Sequence, residues 1–144
     1  MMTIVSGGTL VTRTVRWMVA GATVLVMAAA TAWAEDPTSI LMKQSLPDMP
    51  GKVLTVLTVY YTPGTASDPH VHPGSVVAYV LEGSIVSQLE GEKSVTYNKG
   101  QSWYEPPKQP HLVSKNASDE EPAKILVFLL SEEGESIKMP VSLG

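Results

Sequence analysis

The chain of 144 residues holds three histidines, and two of them stand in His70-Val71-His72. In an extended segment, side chains two residues apart project from the same side. His-x-His on a strand therefore presents two imidazoles together, as a metal ion requires. His111 opens another short apolar run, directly after the stiff segment Pro106-Pro107-Lys108-Gln109-Pro110. Three neutral imidazoles at about 2.1 Å suit zinc, iron, copper, nickel or manganese and leave coordination positions open. Spacing alone leaves a second reading standing: surface or core histidines satisfied by hydrogen bonds. The absence of cysteine excludes disulfides, thiolate ligands and a cysteine nucleophile. No serine–histidine–carboxylate spacing is evident, so no catalytic residue is assigned.

The elements that must position these residues are short strands. Lys52 to Tyr61 carries Val, Leu, Thr or Tyr at nearly every position and is apolar on both faces. Val76 to Leu81, Ser84 to Leu89, Ser94 to Tyr97, Gln101 to Glu105, His111 to Ser114 and Ala123 to Leu130 follow. Glu82-Gly83, Glu90-Gly91-Glu92-Lys93, Asn98-Lys99-Gly100 and Pro106-Pro107 punctuate them. Many short strands at close spacing predict an all-β sandwich or barrel. Nothing after Ala34 has the length and 3.6-residue period of a helix. Residues 35–51, with Pro37, Pro47 and Pro50, read as an extended lead-in with a short strand or turn around Ile40 to Gln44. Residues 52–130 then form the barrel, and 131–144 a C-terminal tail packing on or beside it.

Residues 1–34 read as a secretory signal peptide. They hold no acidic residue, two arginines (Arg13 and Arg16), an apolar run from Trp17 to Ala30, and the small-x-small site Ala32-Trp33-Ala34. The run falls short of the roughly 20 residues that a bilayer core needs. Cleavage after Ala34 is therefore expected, with an uncleaved anchor as the alternative. The product would be periplasmic or secreted, with no membrane attachment once cleaved. All 14 acidic residues but only eight of the ten basic ones follow Ala34, so the mature chain carries −6 with histidine neutral. An acidic domain without a basic cluster is a poor candidate for nucleic acid or an anionic membrane surface.

The stretch Gly64-Thr-Ala-Ser-Asp-Pro-His70-Val-His72-Pro-Gly-Ser-Val-Val-Ala-Tyr-Val-Leu-Glu-Gly83 resembles the first sequence motif of the cupin superfamily. Gly100 through Pro106 to His111 resembles the second, and the Tyr-Val-Leu-Glu-Gly ending is similar to that of small type-2 cupins. The resemblance covers roughly Val53 to Leu130. It implies a double-stranded β-helix, a jelly-roll barrel with its ligand site in the mouth, and assigns His70, His72 and His111 as metal ligands. The family's fourth ligand is a glutamate four positions after the second histidine, where this chain has Val76. Glu82 and Glu105 could substitute, although such residues are more often solvated or hold a turn. Lys108 stands where a glycine is common, and Asn116 follows His111 one residue later than the usual asparagine. Gln88, Tyr79, Trp103 and Tyr104 could line the barrel, with ordinary sheet packing the plainer reading.

A centre of three histidines keeps the full charge of a divalent ion, which strengthens its Lewis acidity and its attraction for anions. The leading reading is an exported, metal-binding cupin with a small-molecule ligand or substrate. A three-histidine, metal-dependent dioxygenase and a non-catalytic ligand-binding cupin are the alternatives, and a barrel with vestigial histidines is the blandest. The resemblance also makes a homodimer paired through barrel sheets possible, and residues 35–51 could cross to the partner.

Overall fold

The β-branched and aromatic runs between Gly, Pro and Asn become strands, as their composition favours. Residues 38–141 are described in this computed structural model, and the signal-peptide segment 1–34 lies outside them, with 35–37 and 142–144. The described residues form β1 (Thr38–Ser45), β2 (Lys52–Tyr61), β3 (Ala66–Ser67), β4 (His70–Val71), β5 (Ser75–Glu82) and β6 (Ser84–Leu89). They continue with β7 (Val95–Asn98), β8 (Ser102–Glu105), β9 (His111–Asn116), β10 (Ala123–Glu132) and β11 (Met139–Pro140). One sheet runs β1-β2-β10-β5-β8; the other runs β11-β4-β9-β6-β7, with β3 also on β9. Every pairing is antiparallel. The chain is all-β among the described residues, in the two-sheet arrangement of a jelly-roll barrel.

Alternation decides what each strand turns inward. β5 buries Val76, Ala78 and Val80 and exposes Val77 and Tyr79; β6 buries Ile85, Ser87 and Leu89. Leu57, Val76, Val80, Ile85 and Leu129 are almost completely enclosed. Each such side chain contributes about 1.5–3 kcal/mol by leaving water. Tyr79 and Tyr104 point outward and do not line the interior, whereas Trp103 does.

The lead-in is a full eight-residue edge strand rather than a short strand or turn. Ile40-Leu41-Met42 breaks the two-residue period, and a bulge between Ile40 and Met42 absorbs the slip in the pairing with β2. Neither face of β1 is covered: Ile40 and Leu41 are 54% and 59% exposed. On the outer face of β2, Val56 lies between its cross-strand partners Met42 and Phe128. Gly74, two residues after His72, passes so close to β10 that a Cβ would lie 1.8 Å from the Leu130 carbonyl oxygen. Only glycine permits that approach, which seats the segment carrying His72 against the sheet.

Candidate metal centre

Two residues suffice for β4 because it is held from both sides. It pairs with β9 so that His70 and His111 are direct register partners, and with β11 through Val71 and Met139. The register thus brings together histidines 41 positions apart. The His70 and His72 ring centroids lie 4.8 Å apart, edge to face. Those of His70 and His111 lie 5.2 Å apart at 51°. All three side chains are buried.

Backbone carbonyls orient two of the rings. His70 Nδ1 is 2.7 Å from the Asp68 oxygen and His72 Nδ1 is 2.7 Å from that of Ile137. A carbonyl only accepts, so each Nδ1 carries the proton and each Nε2 keeps its lone pair. This outer-shell arrangement is the one that fixes the tautomer of metal-ligating histidines. Ile137 belongs to the C-terminal tail and packs against the core, so the tail holds His72 in place. The pKa of His70 is lowered to about 4, chiefly by burial and further by the neighbouring His72 and His111, against the opposing Asp68 carbonyl. It is neutral at pH 7, the form that can bind metal.

Glu105 joins the three imidazoles. Trp103 and Glu105 face inward from β8, and Glu105 is 3% exposed. Trp103 Nε1–H donates to Oε1 at 2.8 Å. The same oxygen lies 3.2 Å from His111 Nδ1 without forming a hydrogen bond, and Oε2 lies 3.6 Å from His72 Nε2. Burial pushes the carboxyl upward, but contact with His111 and the charges of His111 and His72 outweigh it, and the pKa is lowered overall. Glu105 therefore corrects the expectation of a solvated or turn-holding residue. Glu82 is exposed at the end of β5, opposite Lys124, and takes no part.

On the far side of His111, Nε2 meets Ser87 Oγ at 2.8 Å. The sequence signal for Ser87 was a small polar residue on the apolar face of β6, between Ile85 and Leu89. Asn116 lies apart from the imidazoles and is structural. Its Nδ2 donates to the carbonyls of Thr62 and Glu121, and its Oδ1 accepts from Ser118 N, tying two loops together. Gln88 is half-buried and donates to the Glu92 carbonyl.

Among the described residues, two buried side-chain polar atoms have no hydrogen-bond partner: Glu105 Oε2 and His111 Nδ1. Both lie at this centre. Buried polar atoms are almost always satisfied, and an orphan costs about 1–3 kcal/mol. A divalent ion among imidazole nitrogens and a carboxylate would satisfy both, and the donor types suit a borderline first-row metal. The donors are gathered rather than converged. Among the described residues no three histidine, cysteine, aspartate or glutamate side chains already stand in a metal-holding arrangement, so a bound ion would have to draw them inward.

Comparison with known proteins agrees with this architecture. The cupin domain model matches residues 57–129. A cupin-like protein from Thermotoga maritima superposes with a TM-score of 0.58 at 19% identity, covering 73% of this chain and 74% of that one. The DMSP lyase DddQ from Ruegeria pomeroyi gives 0.54 at 22% identity, covering 61% of this chain and 43% of that one. An oxalate oxidase in complex with the substrate analogue glycolate gives 0.52 at 16% identity, covering 74% and 56%. The chain thus spans less than two thirds of either enzyme's length, and these likenesses show the fold alone. No curated protein sequence matches. The match to the family model, over half of the chain and both histidine segments, places this protein in the cupin domain family.

Proposed function

We propose that this cupin binds a divalent metal ion (iron, zinc, manganese, nickel or copper) through His70, His72 and His111, and acts in that form on or with a small molecule. The observation that carries the reading is the pair of orphaned buried atoms at the one place where all three histidines meet. His70 and His72 would contribute Nε2, because the proton of each ring sits on Nδ1 and is committed to a carbonyl. His111 contributes the nitrogen that Ser87 does not occupy. An ion held there would supply a Lewis acid that polarises a bound oxygen ligand and lowers the pKa of water. Trp103 and Val76, both buried, stand beside Glu105.

Elemental analysis of the purified mature protein tests this. One metal per chain in the wild type, and none in the His70→Ala, His72→Ala variant, is expected; equal metal content in both would remove the assignment. Open coordination positions on a three-imidazole centre also suit the small-molecule dioxygenase reading. Anaerobic iron loading, followed by oxygen-uptake measurements with thiols, diketones and phenols, tests that activity, and no uptake with any of them would leave a binding protein. Export to the periplasm or beyond, with cleavage after Ala34, belongs to the same proposal. It rests on the basic, apolar, small-x-small order of residues 1–34. Intact mass of the exported chain checks it, with Glu35 expected first.

A further inference from the structure

We infer that Glu105 is the carboxylate ligand of this centre, reaching it from β8 where position 76 on the adjacent β5 is apolar. The inference rests on the metal-binding reading above and extends it from three ligands to four.

Val76 and Glu105 are register partners across β5 and β8, and both are buried on the inner face. Side chains directly opposite across an antiparallel pair are near neighbours on one face. A carboxylate at either position therefore enters the same interior volume. Trp103 Nε1 holds Oε1 from behind, leaving Oε2 buried, free and turned toward the His72 nitrogen that carries a lone pair.

Charge balance supports the same role. A buried carboxylate is costly unless it is paired. The groups within ion-pair distance of Glu105 among the described residues are the imidazoles of His72 and His111, which carry charge only when protonated, and no lysine or arginine is among them. His70 and His72 present lone pairs from nitrogens whose ring partners already donate to carbonyls. Lone pairs and a carboxylate facing one another repel, and a single cation between them removes every one of those repulsions. A core carboxylate aimed at the three histidines has the chemistry and the placement of a metal ligand. The ligand set then carries one negative charge. The centre would keep one positive charge rather than two, and its preference would shift toward neutral or singly charged ligands.

The test measures zinc(II) affinity by chelator competition and the visible spectrum of the cobalt(II) form. It compares wild type, Glu105→Gln, Glu105→Val and the swap Glu105→Val, Val76→Glu, with folding checked by circular dichroism. Loss of an outer-shell partner typically costs 10–100-fold in metal affinity, so loss of a ligand is expected to cost about 100-fold or more. Glu105→Gln and Glu105→Val should show that loss with an altered cobalt spectrum. The swap should return affinity to within about 10-fold of wild type. Affinity within threefold of wild type and an unchanged spectrum in Glu105→Gln, while His70→Ala, His72→Ala loses the metal, would overturn the inference and leave the three-histidine centre standing. A wild type that binds neither zinc nor cobalt would end both. If the swap does not fold, the isosteric Glu105→Gln decides by itself.

Discussion

Replacing Ser87 with alanine separates how the His111 ring is held from whether the barrel folds. Ser87 is buried on the inner face of β6, with its Oγ 2.8 Å from His111 Nε2. Alanine strands that nitrogen in a residue only 2% exposed. An orphaned buried polar atom costs about 1–3 kcal/mol. For a domain of about 100 residues, each kcal/mol lowers Tm by roughly 4 °C, so a fall of roughly 4–12 °C is expected in metal-free protein. Metal affinity is the second readout. An outer-shell partner is worth about 10–100-fold, which is about 1.4–2.7 kcal/mol. Thermal melts measure the first effect. Competition with a chromophoric chelator, well below the melting range, measures the second without interference from unfolding. Ser87→Thr keeps the hydroxyl and suits a strand, and it should recover most of both. A lowered Tm with unchanged metal affinity in Ser87→Ala would refute the positioning role and leave an ordinary structural hydrogen bond.

Other positions give independent checks. Lys108 adopts φ of 61° in the loop whose N–H donates to the His72 carbonyl. A side chain in that region costs about 1–2 kcal/mol, and the extra unfolded freedom of glycine returns about 0.5–1 kcal/mol. Lys108→Gly should therefore gain up to about 1 kcal/mol in urea denaturation and Lys108→Ala nothing; equal midpoints for the two would contradict the strain. Tyr61 has its pKa raised above the ordinary value of 10.0, mainly by burial. A raised pKa means that its stabilising contribution is complete below pH 10 and is lost as pH climbs through the raised value. Tyr61→Phe should remove that alkaline decline while costing about 1–2 kcal/mol at neutral pH, because the hydroxyl bridges Ser67 and Ser114. An identical decline above pH 10 in the variant would assign it to other groups. Met42, Val56, Phe128, Val77 and Tyr104 form one cross-strand row on the outer face of the first sheet. If the barrel pairs through this face, as the family resemblance allows, light scattering should give a dimer of the mature chain and a monomer for Phe128→Lys; a monomeric wild type would end that expectation.

Much of the fold could be read from the residues themselves. Runs of Val, Ile, Leu and Tyr bounded by Gly, Pro and Asn located β2, β5, β6 and β10, with ends displaced by two residues at most. β1 was harder to recognise because an edge strand with neither face covered needs no alternation, and Ile40-Leu41-Met42 shows none. β3, β4 and β11 are two-residue strands, too short for any period, and exist only because partners lie alongside.

At the centre, local sequence determined that His70 and His72 share a side, since a period of two is a property of the extended backbone. It also marked the segment opened by His111 as a separate strand. Pairing decided the rest. Register, a relation between distant segments, set His70 opposite His111 and Glu105 opposite Val76. No spacing along one strand encodes either match. Burial on the Trp103 side of β8 turned Glu105 from one more acidic residue into a carboxylate with an unpartnered oxygen, because the cost of an unpaired charge appears only once water has been excluded around it.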